Sequence, residues 1–182
     1  DTLYGEGNDP NTPHNDIIYG GTGGNDLLGG NAGDDYIATS PDSSTVYGWT
    51  GDDTIYGNNG NDYLTGDDGN DIIYSGEGTN IVFGWTGNDY LNGGSAHDLI
   101  SGDQGNDTIF GNGGIDYLYG WTGDDIIHGN AGDDIAYGWE DSDTMFGDEG
   151  NDFLGGDAGD DFIYGGVGND SLYGGDGNDY IE

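Results

Sequence analysis

From residue 21 onward the chain places an apolar side chain at every ninth position. The series runs Leu28, Ile37, Val46, Ile55, Leu64, Ile73, Val82, Leu91, Ile100, Ile109, Leu118, Ile127, Ala136, Met145, Leu154, Ile163, Leu172 and Ile181. Residues 21–182 divide into 18 blocks of nine with no insertion or deletion, and this apolar site is position 8 of each block. Positions 1 to 6 are rich in Gly, Asp and Asn, which predicts a turn with left-handed sites. Positions 7 to 9 are rich in Ile, Leu, Tyr, Phe and Thr, which predicts a three-residue strand with position 8 inward and positions 7 and 9 outward. One short strand cannot bury its own side chain, but stacked coils can, so the pattern predicts a solenoid with an aliphatic ladder along its axis.

The polar positions are nearly as regular. Position 1 is Gly in 16 blocks, failing at Thr39 and Ser75; position 4 is Gly in 15, failing at Asp42, Ala96 and Asp141. Position 6 is Asp in 16, replaced only by Ser44 and Asn80.

Composition sharpens this picture. The 182 residues include 37 acidic side chains, no Lys or Arg and three His, for a formal charge of −37. Composition alone describes a disordered polyanion, but such a tail has no reason to hold one register over so long a stretch. Without Lys or Arg there is no footprint for nucleic acid and no Walker-type phosphate site. No apolar run approaches the ~20 residues of a membrane span, so membrane insertion is not expected. With no Cys, disulfides and thiolate chemistry are excluded. One aliphatic side chain per nine residues is a thin core for so much like charge, so something must neutralise the carboxylates.

The blocks resemble the RTX (repeats-in-toxin) calcium-binding nonapeptide, G-G-x-G-x-D-x-U-x. Gly165-Gly166-Val167-Gly168-Asn169-Asp170-Ser171-Leu172-Tyr173 matches it at every defined position. The resemblance implies an all-β fold: a right-handed parallel β-roll, a β-solenoid with two nonapeptides per coil and about nine regular coils. It also implies calcium ions between turns 18 residues apart. One turn would give the carbonyls of positions 2 and 4 and its Asp; the next would give the carbonyls of positions 1 and 3 and its Asp. Six oxygens suit a hard cation.

Two nonapeptides per coil sort the ligands onto two edges. One carries Asp35, Asp53, Asp71, Asp89, Asp107, Asp125, Asp143, Asp161 and Asp179. The other carries Asp26, Asp62, Asp98, Asp116, Asp134, Asp152 and Asp170, with Ser44 and Asn80 weakening the sites they flank. Nine turns per edge leave eight gaps and a ceiling of 16 ions, supplying +32 against −37. Residues 1–20 read as an irregular N-terminal coil that continues the repeat, with Asp16 as a further ligand and an insertion around Pro10–Pro13. Because the chain begins and ends inside the repeat grammar, a parent protein is expected to continue on both sides.

No catalytic constellation emerges. His14 lies in the irregular segment, His97 at a variable turn position and His128 in a strand, and carboxylate pairs at every turn read as metal sites rather than acid–base dyads. Trp49, Trp85, Trp121 and Trp139 all occupy position 2, with separations of 36, 36 and 18 residues, and must share the edge with the unbroken Asp ladder. The row admits three readings: indoles packed over neighbouring turns, the relic of a 36-residue duplication, or plates for alternate sugars of a glycan. Outward aromatics at positions 7 and 9, such as Tyr74 and Phe110, predict same-face stacking and offer flat faces for self-association, as do the open solenoid ends. The sequence therefore reads as a calcium-dependent, non-catalytic structural or adhesive module of a secreted or cell-surface protein, able to assemble into filaments or layers. The alternatives are an accessory region of a secreted hydrolase or polysaccharide-modifying enzyme, and a glycan-binding face.

Overall fold

A computed structural model describes residues 1–5 and 14–182. The expected insertion around Pro10–Pro13 lies outside the described residues. Strands β1 (Thr2–Tyr4), β2 (Ile17–Tyr19), β3 (Leu27–Ala32) and β4 (Tyr36–Ala38) open an alternation that, among the described residues, runs without a helix to Tyr180–Ile181. Odd-numbered strands form one ten-stranded parallel sheet and even-numbered strands form another, so each coil gives one strand to each sheet. Leu28 faces Val46 and Val46 faces Leu64 across the first sheet; Ile109 faces Ile127 across the second. The result is a parallel β-solenoid of about nine turns.

At the N-terminus the register is looser. Thr2 pairs with Leu27 and Ile17 with Tyr36. These offsets exceed the 18-residue coil, and β1 and β2 still add to the two sheets.

Position 8 forms the core. From Leu28 to Ile163 every such side chain is fully buried, Leu172 packs partly against the cluster, and Ile181 lies exposed on the terminal coil. The strands are longer than the three residues read from the sequence. Most span positions 7 to 9 and continue through positions 1 to 3 of the next block, as in Thr45–Thr50 and Thr108–Gly113. Identical coils in register let turn N–H and C=O groups pair with the next coil as readily as strand groups do, so the ladder runs on into the turn.

Outward aromatics stack along the sheets. On the second sheet Phe110, His128, Phe146 and Tyr164 form a run with centroid separations of 4.9, 4.5 and 5.2 Å. His128 is thus held between two Phe rings, 3.3 Å from Asp148 Oδ2. His97 Nδ1 accepts the Ile115 N–H at 2.6 Å, and the His14 N–H donates to the Ala32 carbonyl at 2.9 Å. No two of the three imidazoles share a site.

Candidate metal centre

The turns carry the chemistry. On the edge after each odd strand, Asp16, Asp35, Asp53, Asp71, Asp89, Asp107, Asp125, Asp143, Asp161 and Asp179 follow one another from coil to coil. From Asp35 onward each carboxylate Oδ1 accepts the backbone N–H of the ladder residue one coil earlier. Asp35 N–H donates to Asp53 Oδ1 at 2.7 Å, Asp89 N–H to Asp107 Oδ1 at 2.8 Å and Asp161 N–H to Asp179 Oδ1 at 3.1 Å. The opposite edge repeats the device, with Asp98 N–H donating to Asp116, Asp116 to Asp134, Asp134 to Asp152 and Asp152 to Asp170. Half of each carboxylate is therefore spent on fixing the turn.

The other half is not. From Asp26 to Asp161, Oδ2 of every ladder Asp except Asp98 is buried and has no hydrogen-bond partner. Burial of a charged oxygen without a partner is costly. It pushes the carboxyls up, to about 8 for Asp53, Asp107 and Asp143, to about 7 for Asp62, Asp71, Asp116 and Asp125, and to about 6 for Asp89 and Asp134. Desolvation is the leading cause at each, and neighbouring ladder carboxylates reinforce it at Asp53, Asp107 and Asp143.

Backbone carbonyls face the same space. A methyl built on Gly111 would lie 2.6 Å from Asp116 Oδ2 and 2.8 Å from the carbonyl oxygen of Gly129 in the next coil. Gly111 is thus required by crowding, not by its φ: its own Asp and the following turn converge on it. Among the described residues no group of three or more His, Asp or Glu side chains could hold a metal. Any cation here must take carbonyl oxygens alongside its two carboxylates, which suits a hard, oxygen-seeking ion such as calcium.

The exceptions show what the space demands. Asn80 Nδ2 donates to the carbonyls of Gly78 (3.0 Å) and Gly76 (3.5 Å), positions 4 and 2 of its own turn. Ser44 Oγ donates to the carbonyl of Asp42, again position 4, at 3.1 Å. Asp98 Oδ2 accepts the Gly94 N–H at 2.9 Å. Where Asp is absent, a side-chain donor points at the carbonyls; where Asp98 has a partner, that partner is a donor too. The same two blocks also lack the position 1 glycine, carrying Thr39 and Ser75. Without a carboxylate beside it, position 1 has room for a side chain, and the Thr39 hydroxyl donates to the Gly57 carbonyl. Sequence reading treated these exceptions separately; their shared blocks were the available signal.

The four tryptophans lie in the last residues of odd strands, next to the edge with the unbroken ladder. Trp121 pairs in register with Trp139, and their rings stack at 4.9 Å. Trp49 lies between Tyr4 (5.9 Å) and Tyr47 (6.0 Å).

Fold and turns together define a parallel β-solenoid whose coils are joined by rows of buried carboxylates. The family model described as RTX calcium-binding nonapeptide repeat matches residues 29–64, 47–82, 56–91, 65–100, 86–118, 101–135, 119–154 and 155–182. The chain belongs to that family. No curated protein matches it.

The repeats of this family bind calcium, and the ladder fits that ion on three counts: orphaned carboxylate oxygens, convergent carbonyls, and a glycine cradle that a side chain would fill.

Proposed function

We propose that this chain is a calcium-dependent, non-catalytic structural β-roll of a secreted or cell-surface protein, serving as a rigid segment of an adhesive or layer-forming assembly. The carboxylates of the two ladders, with Asp16 extending one of them, hold the ions. Each ion is shared by successive coils. The observation that carries this reading is the run of buried, partnerless Oδ2 atoms from Asp26 to Asp161. Calcium between successive carboxylates removes both the desolvation cost and the repulsion, and an ion bound only by the folded chain stabilises that fold by mass action. The rigid form then belongs where calcium is plentiful, which favours the cell exterior. Its repetitive surface suits spacing and adhesion better than turnover.

Circular dichroism during a calcium titration tests the clamp. β-structure should appear cooperatively with calcium and vanish on chelation; a chain equally ordered in excess chelator would overturn the proposal. Light scattering and electron microscopy of the saturated protein test the assembly half, which fails if only monomer is seen at high concentration.

A further inference from the structure

On the edge that carries the tryptophans, aromatic and acidic side chains alternate at position 2 from Trp49 to Trp121. Trp85 pairs with Asp67 on one side and Asp103 on the other, and Asp103 pairs in turn with Trp121. Trp85 and Trp121 hold φ of 77° and 80°, a left-handed backbone that disfavours bulky side chains. The turn would be better served by Gly, as at Gly175, or by Asn, as at Asn31. The indoles are nevertheless 47% and 41% exposed. Phe83 lies 6.3 Å from the Trp85 ring and props it from its own strand.

In the intervening coils both bulky groups are replaced. Ser101 Oγ donates to Asp103 Oδ1 at 3.1 Å, and Thr65 Oγ1 donates to Asp67 Oδ1 at 2.6 Å. Asp67 Oδ2 is buried without a hydrogen-bond partner. Every second coil is thus cut back to an oriented carboxylate. Two notches result, sharing Trp85 as a wall. One, of about 180 Å³, is lined by Asp67, Asp68, Trp85 and Thr86; the other, of about 240 Å³, by Trp85, Asp103, Gln104, Trp121 and Thr122.

We propose that these notches are consecutive subsites for a neutral, extended β-1,4-linked glycan, with alternate sugars seated against the indoles and a hydroxyl donating to Asp103. The flat C–H face of a pyranose suits an exposed indole, and a carboxylate already aimed by one hydroxyl is ready to accept another. With no Lys or Arg to pair a sulfate or carboxylate, and with the Asp103 carboxylate in the notch, sulfated or uronic glycans are disfavoured. Two coils advance about 10 Å. An extended β-1,4 chain shows the same face at every second sugar, at close to this spacing, so one polymer spans both notches. This inference rests on the chain forming the roll, whichever ion clamps it.

The test is isothermal titration of the calcium-loaded protein with cellohexaose and chitohexaose. Trp85→Asn removes the shared wall while keeping a residue that the turn accepts at Asn31; Trp49→Asn, outside both notches, is the control. At least one hexasaccharide should bind, Trp85→Asn should weaken it by about tenfold or more, and Trp49→Asn should not. Unchanged calcium titrations of both variants confirm that the roll is intact. The proposal is overturned if neither sugar binds the parent protein, or if Trp85→Asn binds equally well. It is also overturned if tetramethylammonium, and not sugar, quenches the indole fluorescence through Trp85, which would make the notches cation cages.

Discussion

Changing Asn80 to Asp asks whether a side-chain donor occupies the place of a cation. In the parent, Oδ1 accepts the Asp62 N–H at 2.9 Å while Nδ2 donates to the Gly78 and Gly76 carbonyls at 3.0 and 3.5 Å. Aspartate keeps the first bond and turns the donor into a second acceptor facing two carbonyls. Losing the stronger amide bond costs about 1 kcal/mol, and an uncompensated buried charge adds about 3–5 kcal/mol. Without metal the folded coil should therefore weaken by ~5 kcal/mol. With calcium the same carboxylate completes the row between Asp62 and Asp98. An added ion at a hundredfold excess over its Kd contributes about 2.7 kcal/mol and cancels the charge penalty as well. The sign of the substitution thus reverses with calcium. Native mass spectrometry should count at least one further ion in Asn80→Asp, and urea unfolding followed by circular dichroism should show it no less stable than the parent in saturating calcium. At low calcium its ordering should lag behind the parent's. An unchanged ion count, or a loss of stability at saturation, would refute the reasoning.

Position along the ladder should matter as well: Asp107→Ala, with neighbours on both sides, should raise the calcium midpoint more than Asp179→Ala at the terminal coil, and equal midpoints would refute a cooperative stack. Acidity should partly replace the metal. Because burial holds Asp53, Asp107 and Asp143 near 8, the folded chain binds protons more tightly than the unfolded one; the resulting stability is fully present below the ordinary carboxylate range near 4 and is lost as pH rises through 8. The chelated chain should gain β-signal on acidification from pH 8 to 4, and calcium binding at neutral pH should release protons measurable in weak buffer; no proton release would count against the buried ladder. Ile109→Ala, at a fully buried site, should cost about 2–5 kcal/mol in urea unfolding with calcium, whereas Ile181→Ala on the exposed terminal coil should stay within about 0.5 kcal/mol.

Much of this architecture is written at single-residue resolution in the chain. Position 8 reads inward from Leu28 to Ile163 because alternation leaves a three-residue strand only one central side chain to bury, and nothing in the fold competes with that choice. Trp49, Trp85, Trp121 and Trp139 come to one edge because their separations are whole coils. Strand length was not legible: a strand counted from β-prone residues stops at Tyr47, but the ladder carries it to Thr50, since pairing with an identical neighbour overrides the local preference of Gly48 and Trp49. Nor were the hydrogen bonds of Asn80 and Ser44. The sequence marks both as missing ligands, but whether a missing ligand leaves a hole or a donor depends on where its polar atoms point. The notches at Asp67 and Asp103 escaped for a related reason. They require position 9 of a strand and position 2 of the following turn to be read together, as Thr65 with Asp67 and Ser101 with Asp103.

The exceptions bear on the nature of the clamp more than the regular coils do. Three different groups meet the ladder or its carbonyls: the Asn80 amide, the Ser44 hydroxyl and the Gly94 N–H on Asp98. Each places the positive end of a dipole on the oxygens that surround the turn. Among the described residues, Oδ2 of the other ladder aspartates from Asp26 to Asp161 meets no such donor, and the chain has no Lys or Arg to supply one. A proton can satisfy one Oδ2 but leaves the facing carbonyls without a donor, and it is lost as pH rises through the raised carboxyl values. A monovalent cation meets the oxygens but leaves one of the two carboxylates it bridges uncompensated. A divalent, oxygen-seeking ion with a flexible coordination number balances two carboxylates and takes several carbonyls at once. On the proposed reading, such an ion is what lets a solenoid with one aliphatic side chain per nine residues carry a carboxylate in almost every turn.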